Sequence, residues 1–141
     1  MHRTLTASNS RLALSSVIAF VAMACSPHAL ASEPGPFELV ADIPMHGAVN
    51  AMREHCLRFE SGGEVEFRFS SAWPVDFNVH YHDDGVTEYP VEVSDRSDYE
   101  GSFLAEPDRE YCYMWVNREY SEDAWLIGLE QRVSATTDEP A

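Results

Sequence analysis

The sequence predicts an all-β protein: a single antiparallel β-sandwich of about seven or eight strands with one intra-domain disulfide. Three observations support this fold class. Apolar and polar residues alternate with a period of two over most of the chain. Turn residues interrupt the alternation about every ten residues. A composition that is 45% apolar and 11% aromatic, in 141 residues, provides a core for one domain and not for two.

The first 31 residues have the features of a signal peptide. Arg3 and Arg11 make the start positive, residues 12–24 are apolar or small, and Ala29-Leu30-Ala31 fits the cleavage rule of signal peptidase. The apolar run is too short for a membrane span, which needs about 20 residues. We therefore expect residues 1–31 to be removed and the mature protein to be periplasmic or secreted.

Cys25 offers an alternative N-terminus. Residues 21–25, Val-Ala-Met-Ala-Cys, loosely resemble a bacterial lipobox, in which the cysteine is acylated and becomes the first residue. Ala22 and Met23 stand where a lipobox usually has Leu and a small residue. With a lipid on Cys25 the mature protein would be a membrane-anchored lipoprotein, although it would still have no membrane span.

The sandwich domain is predicted over residues 37–133. A flexible leader, residues 32–36, is rich in Pro, Gly and Glu, and a flexible acidic tail, residues 134–141, follows the domain. The first clear strands alternate over residues 65–69 and 75–81, after a turn at residues 61–63. Asp83-Asp84-Gly85 then predicts a hairpin, because Asp-Gly tolerates the positive φ angles of tight turns.

The later strands differ in their expected place in the sheet. The run over residues 89–93 contains Pro90, which cannot donate to a ladder, so an edge strand is predicted there. Residues 111–116, Tyr-Cys-Tyr-Met-Trp-Val, are apolar on both faces, as in a central strand. Tyr111, Tyr113 and Trp115 form an aromatic stripe along this strand, which is more typical of core packing than of a ligand-facing patch. Residues 103–105 and 125–129 complete the set.

Two cysteines remain after removal of residues 1–31. In an oxidising compartment, Cys56 and Cys112 predict one disulfide. A redox or metal-binding thiol pair has no support, since there is no C-x-x-C motif and no His follows Cys112 as a blue-copper site requires.

The charge and the motifs restrict the function. The chain has 24 acidic and 9 basic residues, all nine of them Arg, for a net charge of −15. Without a basic run, nucleic acid is not an expected partner. There is no G-x-S-x-G, H-E-x-x-H, P-loop or Rossmann glycine pattern, so no catalytic residue is assigned. We expect a non-catalytic binding or accessory module whose partner is a protein or a small molecule.

His80 and His82 provide an alternative function. They are two residues apart on a predicted strand, so their rings point to the same face, beside Asn78 and Asp76. Two imidazoles on one strand can bind Cu or Zn if an acid or water completes the shell, as in a periplasmic metal-handling protein. The competing interpretation is a solvated sheet face or cross-strand hydrogen bonds, with no cofactor. Further ligands could join only if the fold brings them close: Met45, His46, His55 and Met114.

Three short segments resemble motifs of the GOLD (Golgi dynamics) domain family. They are residues 56–60, Cys-Leu-Arg-Phe-Glu; residues 101–103, Gly-Ser-Phe, followed by Tyr111-x-Tyr113; and residues 112–117, Cys-Tyr-Met-Trp-Val-Asn. The resemblance covers about residues 37–133. It implies a β-sandwich, a non-enzymatic binding role, and a pair of cysteines that bridges the sandwich. It carries no expectation of vesicle trafficking.

Overall fold

The structure, a computed structural model, describes residues 34–106 and 108–134. The predicted signal peptide, Cys25 and the tail after Ser134 lie outside the described residues. Six antiparallel strands form the fold: β1 (Glu38–Met45), β2 (Met52–Phe59), β3 (Gly63–Asp83), β4 (Val86–Ala105), β5 (Arg109–Asn117) and β6 (Trp125–Ser134). Within this part of the chain, no helix has the length and apolar character needed to cross a membrane.

Strand β3 is unusually long because it joins two predicted strands. Its ladder with β4 shifts register between Ser70 and Val75, and the ring centroids of Phe67 and Phe77 lie 5.4 Å apart. In a straight strand those two residues would be about 33 Å apart. Therefore β3 bends back on itself between its two halves. The structure has six strands instead of the predicted seven or eight, because β3 and β4 both continue through this bend.

The bend folds the sheet into two layers. In layer 1, the first half of β3 (residues 63–70) pairs with β6 and with residues 98–105 of β4, and β1 pairs with β6. In layer 2, the second half of β3 (residues 75–83) pairs with β5 and with residues 86–96 of β4, and β2 pairs with β5. Every ladder is antiparallel, so the predicted all-β antiparallel fold is confirmed.

The core between the layers is largely aromatic. Phe67 and Phe69 of layer 1 pack against Phe77, Tyr113 and Trp115 of layer 2, with ring centroids 4.8 to 6.1 Å apart. The Tyr113 hydroxyl donates to Gln131 Oε1 of β6 at 2.9 Å, and burial raises the pKa of Tyr113 far above its usual value. The predicted aromatic stripe of β5 is therefore part of the core.

Local turn and edge predictions agree with the structure. Asp84 and Gly85 have φ angles of 46° and 84° in the β3–β4 hairpin, and Gly62 has a φ of 93° in the preceding turn. Among the described strands β4 pairs with β3 alone, so Pro90 lies in an edge strand as predicted. The exposed acidic residues on β4 disfavour the pairing of this long edge with another copy, because like charges repel.

The end of the predicted leader contacts layer 1. The carbonyl of Gly35 accepts a hydrogen bond from Arg132 Nη1 at 3.4 Å. The guanidinium groups of Arg68 and Arg132 each lie 4.5 Å from the centroid of the Phe37 ring. These contacts hold the described residues before β1 against the outer face of the sheet.

Candidate functional site

The predicted disulfide between Cys56 and Cys112 is confirmed. The two residues lie directly opposite each other in the ladder between β2 and β5, with their Cα atoms 4.0 Å apart. The bond therefore joins neighbouring strands of layer 2. The GOLD resemblance implied a bond that bridges the two layers, and that expectation is wrong. The reason is the strand order, which places β2 and β5 side by side in one layer.

The cysteines and Glu110 bring three potential ligand atoms within 4.8 Å of one another. Cysteine binds a metal ion as the thiolate, and these two sulfurs are joined to each other in the disulfide. The cluster is therefore not a metal centre in the oxidised protein.

His80 and His82 project from the outer face of layer 2, as the alternation predicted. The centroids of their rings are 5.3 Å apart. The two side chains differ in exposure, however, because His80 is only 4% exposed and His82 is exposed. The ring of Tyr89 lies 5.8 Å from the ring of His80 and covers part of it. The outer face of layer 2 is thus not uniformly solvated.

The His80 ring is held in one orientation. Its Nδ1 lies 2.8 Å from Asn78 Oδ1, and an amide oxygen can only accept, so Nδ1 carries the proton and donates it. The lone pair is then on Nε2, which faces Oε1 of Glu54 at 3.6 Å. Strand β5 lies between β2, which carries Glu54, and β3, which carries His80.

Burial favours the uncharged form of the His80 ring. Burial lowers the pKa of His80 below its usual 6.5; the negative charge of Glu54 opposes this shift, and His82 adds to it. A neutral imidazole with its Nε2 lone pair directed toward a carboxylate is able to bind a cation.

His82 makes the kind of cross-strand contact that the interpretation without a metal predicts. Its Nδ1 lies 3.1 Å from Thr87 Oγ1 of β4, which is a cross-strand hydrogen bond. His80 instead bonds within its own strand. In the described part of the chain, His80, His82 and Glu54 do not bring three ligand atoms within 4.8 Å of one another. Metal binding by the two histidines therefore remains a prediction.

Of the further ligands considered, only Met114 shares this face. Met114 lies opposite Asn78 in the ladder between β3 and β5. Met45 is fully buried in the core, and His55 lies opposite Tyr113 and so faces the inner side. His46 follows β1 of layer 1, and its carbonyl accepts from Asn117 at the end of β5.

Glu54 is the residue that the sequence analysis missed. Alternation along β2 does place Glu54 on the same face as Cys56. Its proximity to His80 depends on the order β3-β5-β2, which no local pattern specifies.

A second feature is the loop end at which β1 leads to β2 and β5 leads to β6. Asn117, fully buried, connects the two loops. Its Nδ2 donates to the carbonyls of Ala48 at 3.1 Å and of His46 at 3.4 Å, and its Oδ1 accepts from the backbone N–H of Glu119 at 3.2 Å. One side chain thereby fixes the β1–β2 loop against the β5–β6 loop.

Further bonds reinforce this loop end. The backbone N–H of Ser121 donates to the carbonyl of Gly47 at 2.9 Å. A Cβ atom at Gly47 would lie 1.8 Å from the carbonyl oxygen of Ser121, so this close approach requires glycine. Arg118 pairs with Asp76 at 2.6 Å and donates to Asn50 Oδ1 at 2.9 Å. These contacts join the two loops to each other and to β3.

Three large side chains are exposed in these two loops and in the bend of β3: Val49 at 52%, Trp73 at 46% and Tyr120 at 72%. Val49 and Tyr120 belong to the two loops that Asn117 connects. Trp73 lies in the bend of β3, where Ser71 Oγ accepts from Trp125 Nε1 at 2.9 Å. We call Val49, Trp73 and Tyr120 the loop-end surface.

Comparison with known proteins gives no family for this chain. No protein-family model and no curated protein matches it.

Proposed function

We propose that the protein is an exported, non-catalytic binding module that engages a protein partner through the loop-end surface. The observation that carries the proposal is that Val49 and Tyr120 are exposed on two loops that the buried side chain of Asn117 joins, and that Trp73 is exposed in the bend of β3. Trp and Tyr supply a large share of binding energy at protein interfaces. Because the loops are already ordered, binding costs little conformational entropy.

The charge near this surface indicates the chemistry of the partner. Glu119, Glu122 and Asp123 flank Tyr120 in the same loop, and the whole chain carries a net charge of −15. Such a surface attracts a partner that combines apolar side chains with Lys or Arg. It repels nucleic acid and anionic membrane surfaces.

Export is part of the proposal. The features of residues 1–31 support it, and the Cys56–Cys112 disulfide is of a kind that persists in oxidising compartments. If Cys25 is instead acylated, the module is tethered to a membrane and the binding surface stays the same. N-terminal sequencing of the mature protein distinguishes these two forms.

A crosslinking experiment tests the binding surface. The wild type, the double variant Trp73→Ala/Tyr120→Ala, and the control variant Tyr89→Ala are exported in the native host and crosslinked, and the attached proteins are identified by mass spectrometry. Tyr89 is a matched control because it is 50% exposed but lies on the outer face of layer 2.

We expect one partner to be recovered with the wild type and with Tyr89→Ala, and to fall at least tenfold with the double variant. Equal recovery with the double variant, or no partner with the wild type, would refute the proposal.

A further inference from the structure

We infer that a divalent transition-metal ion binds on the outer face of layer 2, between Nε2 of His80 and the carboxylate of Glu54, with His82 as the third ligand. The inference concerns a different part of the molecule from the loop-end surface. It therefore stands or fails independently of the proposed protein partner.

The spacing of the two principal ligands fits one shared ion. His80 Nε2 and Glu54 Oε1 are 3.6 Å apart, which is longer than a hydrogen bond of ordinary length. Zinc binds imidazole nitrogen at about 2.0–2.1 Å and carboxylate oxygen at about 2.0–2.2 Å, and tetrahedral or slightly wider ligand angles then separate the two atoms by about 3.4–3.6 Å. The pair already has the separation of two ligands of one ion.

The imidazole is oriented as a metal ligand requires. Metal-binding histidines generally donate their other ring N–H to an oxygen acceptor, which fixes the tautomer and the ring plane. Asn78 Oδ1 provides that acceptor for His80 Nδ1–H at 2.8 Å. Because His80 is only 4% exposed, its ring cannot easily turn away.

The electrostatics of the pair favour a cation. A neutral imidazole lone pair and a carboxylate oxygen are both electron-rich, so their direct approach gains nothing without a positive charge between them. Several other carboxylates of the described chain, including Glu66, Asp76 and Glu130, pair with an arginine. Glu54 faces an imidazole instead.

The third ligand comes from His82. Its Nδ1 is engaged with Thr87 Oγ1 at 3.1 Å, and its ring centroid lies 5.3 Å from that of His80. Because the side chain is exposed, His82 would turn toward the pair by giving up its hydrogen bond to Thr87. Two nitrogens and one oxygen, with a position left for water, suit Zn²⁺ and Cu²⁺, and the general order of affinities places Cu²⁺ above Zn²⁺.

The test is a metal titration of the full chain. The protein carries no affinity tag, its Cys56–Cys112 bond is formed, and any other thiol is blocked. Affinity for Cu²⁺ and Zn²⁺ is measured by competition with a chromophoric chelator. The wild type is compared with Glu54→Gln, His80→Ala and His82→Ala. The control is Glu64→Gln, which removes an exposed carboxylate on the outer face of layer 1, away from the inferred site.

We expect one tight ion per wild-type chain and tighter binding of Cu²⁺ than of Zn²⁺. Glu54→Gln should weaken binding at least tenfold, His80→Ala should abolish it, and Glu64→Gln should leave it unchanged. The side chain of Glu54 is 43% exposed, so Glu54→Gln should fold normally even if His80→Ala does not. Electron paramagnetic resonance of the Cu²⁺ form should show two coupled nitrogens, and one in His82→Ala.

The inference is overturned if the wild type binds neither ion at micromolar concentration. It is also overturned if Glu54→Gln binds as tightly as the wild type, or if Glu64→Gln weakens binding by the same factor.

Discussion

Replacing Asn117 with Ala should lower the free energy of unfolding by about 2–3 kcal/mol. The fully buried amide makes three hydrogen bonds, to the carbonyls of His46 and Ala48 and from the N–H of Glu119. Each such bond contributes about 1 kcal/mol net to stability. The bond to His46 is the longest, at 3.4 Å, and contributes least. His46 and Glu119 are exposed, so in the variant water can form hydrogen bonds with the carbonyl of His46 and the N–H of Glu119 and offset part of the loss.

Urea denaturation followed by tryptophan fluorescence measures this loss. In a domain of this size a decrease of 2–3 kcal/mol should lower the Tm by roughly 10–20 °C. The matched control is Asn78→Ala, which removes another buried asparagine whose side chain accepts from His80. We expect a loss of about 1 kcal/mol for the control.

The location of the effect is equally specific. In Asn117→Ala, amide hydrogen exchange should accelerate in residues 46–51 and 118–121, because these loops lose their shared anchor. A loss below about 1 kcal/mol, or one no larger than that of Asn78→Ala, would refute the conclusion that Asn117 holds the loop end together.

Three further predictions follow from single features of the structure. Replacing both Cys56 and Cys112 with Ser should lower the free energy of unfolding by roughly 4 kcal/mol in the chain-entropy model, since the bond joins residues 56 positions apart; a loss below about 1 kcal/mol in urea would contradict this. Burial lowers the pKa of His80 below 6.5, so the unfolded metal-free chain binds more protons, and stability should decrease as the pH falls below 6.5 toward the lowered pKa. His80→Gln should remove that slope, and an unchanged slope would assign it to another group. Gly47→Ala, whose Cβ would lie 1.8 Å from the carbonyl oxygen of Ser121, should cost about 1–3 kcal/mol; an unchanged Tm would show that the loop adjusts freely.

Local patterns predicted local structure well. The alternation of residues 65–69 and 75–81 identified strand segments correctly, and Asp84-Gly85 identified the hairpin. The strand count was too high because residues 71–74, Ser-Ala-Trp-Pro, have the composition of a break. In the structure they form a bend within β3, after which the ladder resumes with a shifted register.

The candidate sites were predictable only in part. Alternation placed His80 and His82 on one face, and the ring contact between them agrees with that placement. It could not predict the burial of His80, which depends on side chains from other strands. The pairing of Cys56 with Cys112 was predicted from their number and compartment. That the bond lies within one layer depends on which strands are neighbours.

The sequence by itself determined the class of structure: an antiparallel all-β fold with a disulfide, an edge at Pro90 and a tight turn at Asp84-Gly85. These features follow from backbone stereochemistry and from the two-residue period of a strand, which act over a few neighbouring residues. Only the tertiary structure decided that Glu54 meets His80 and that Asn117 joins two loops. Such meetings depend on strand order, which is selected by the burial of the whole aromatic core and has no counterpart in any short segment of the sequence.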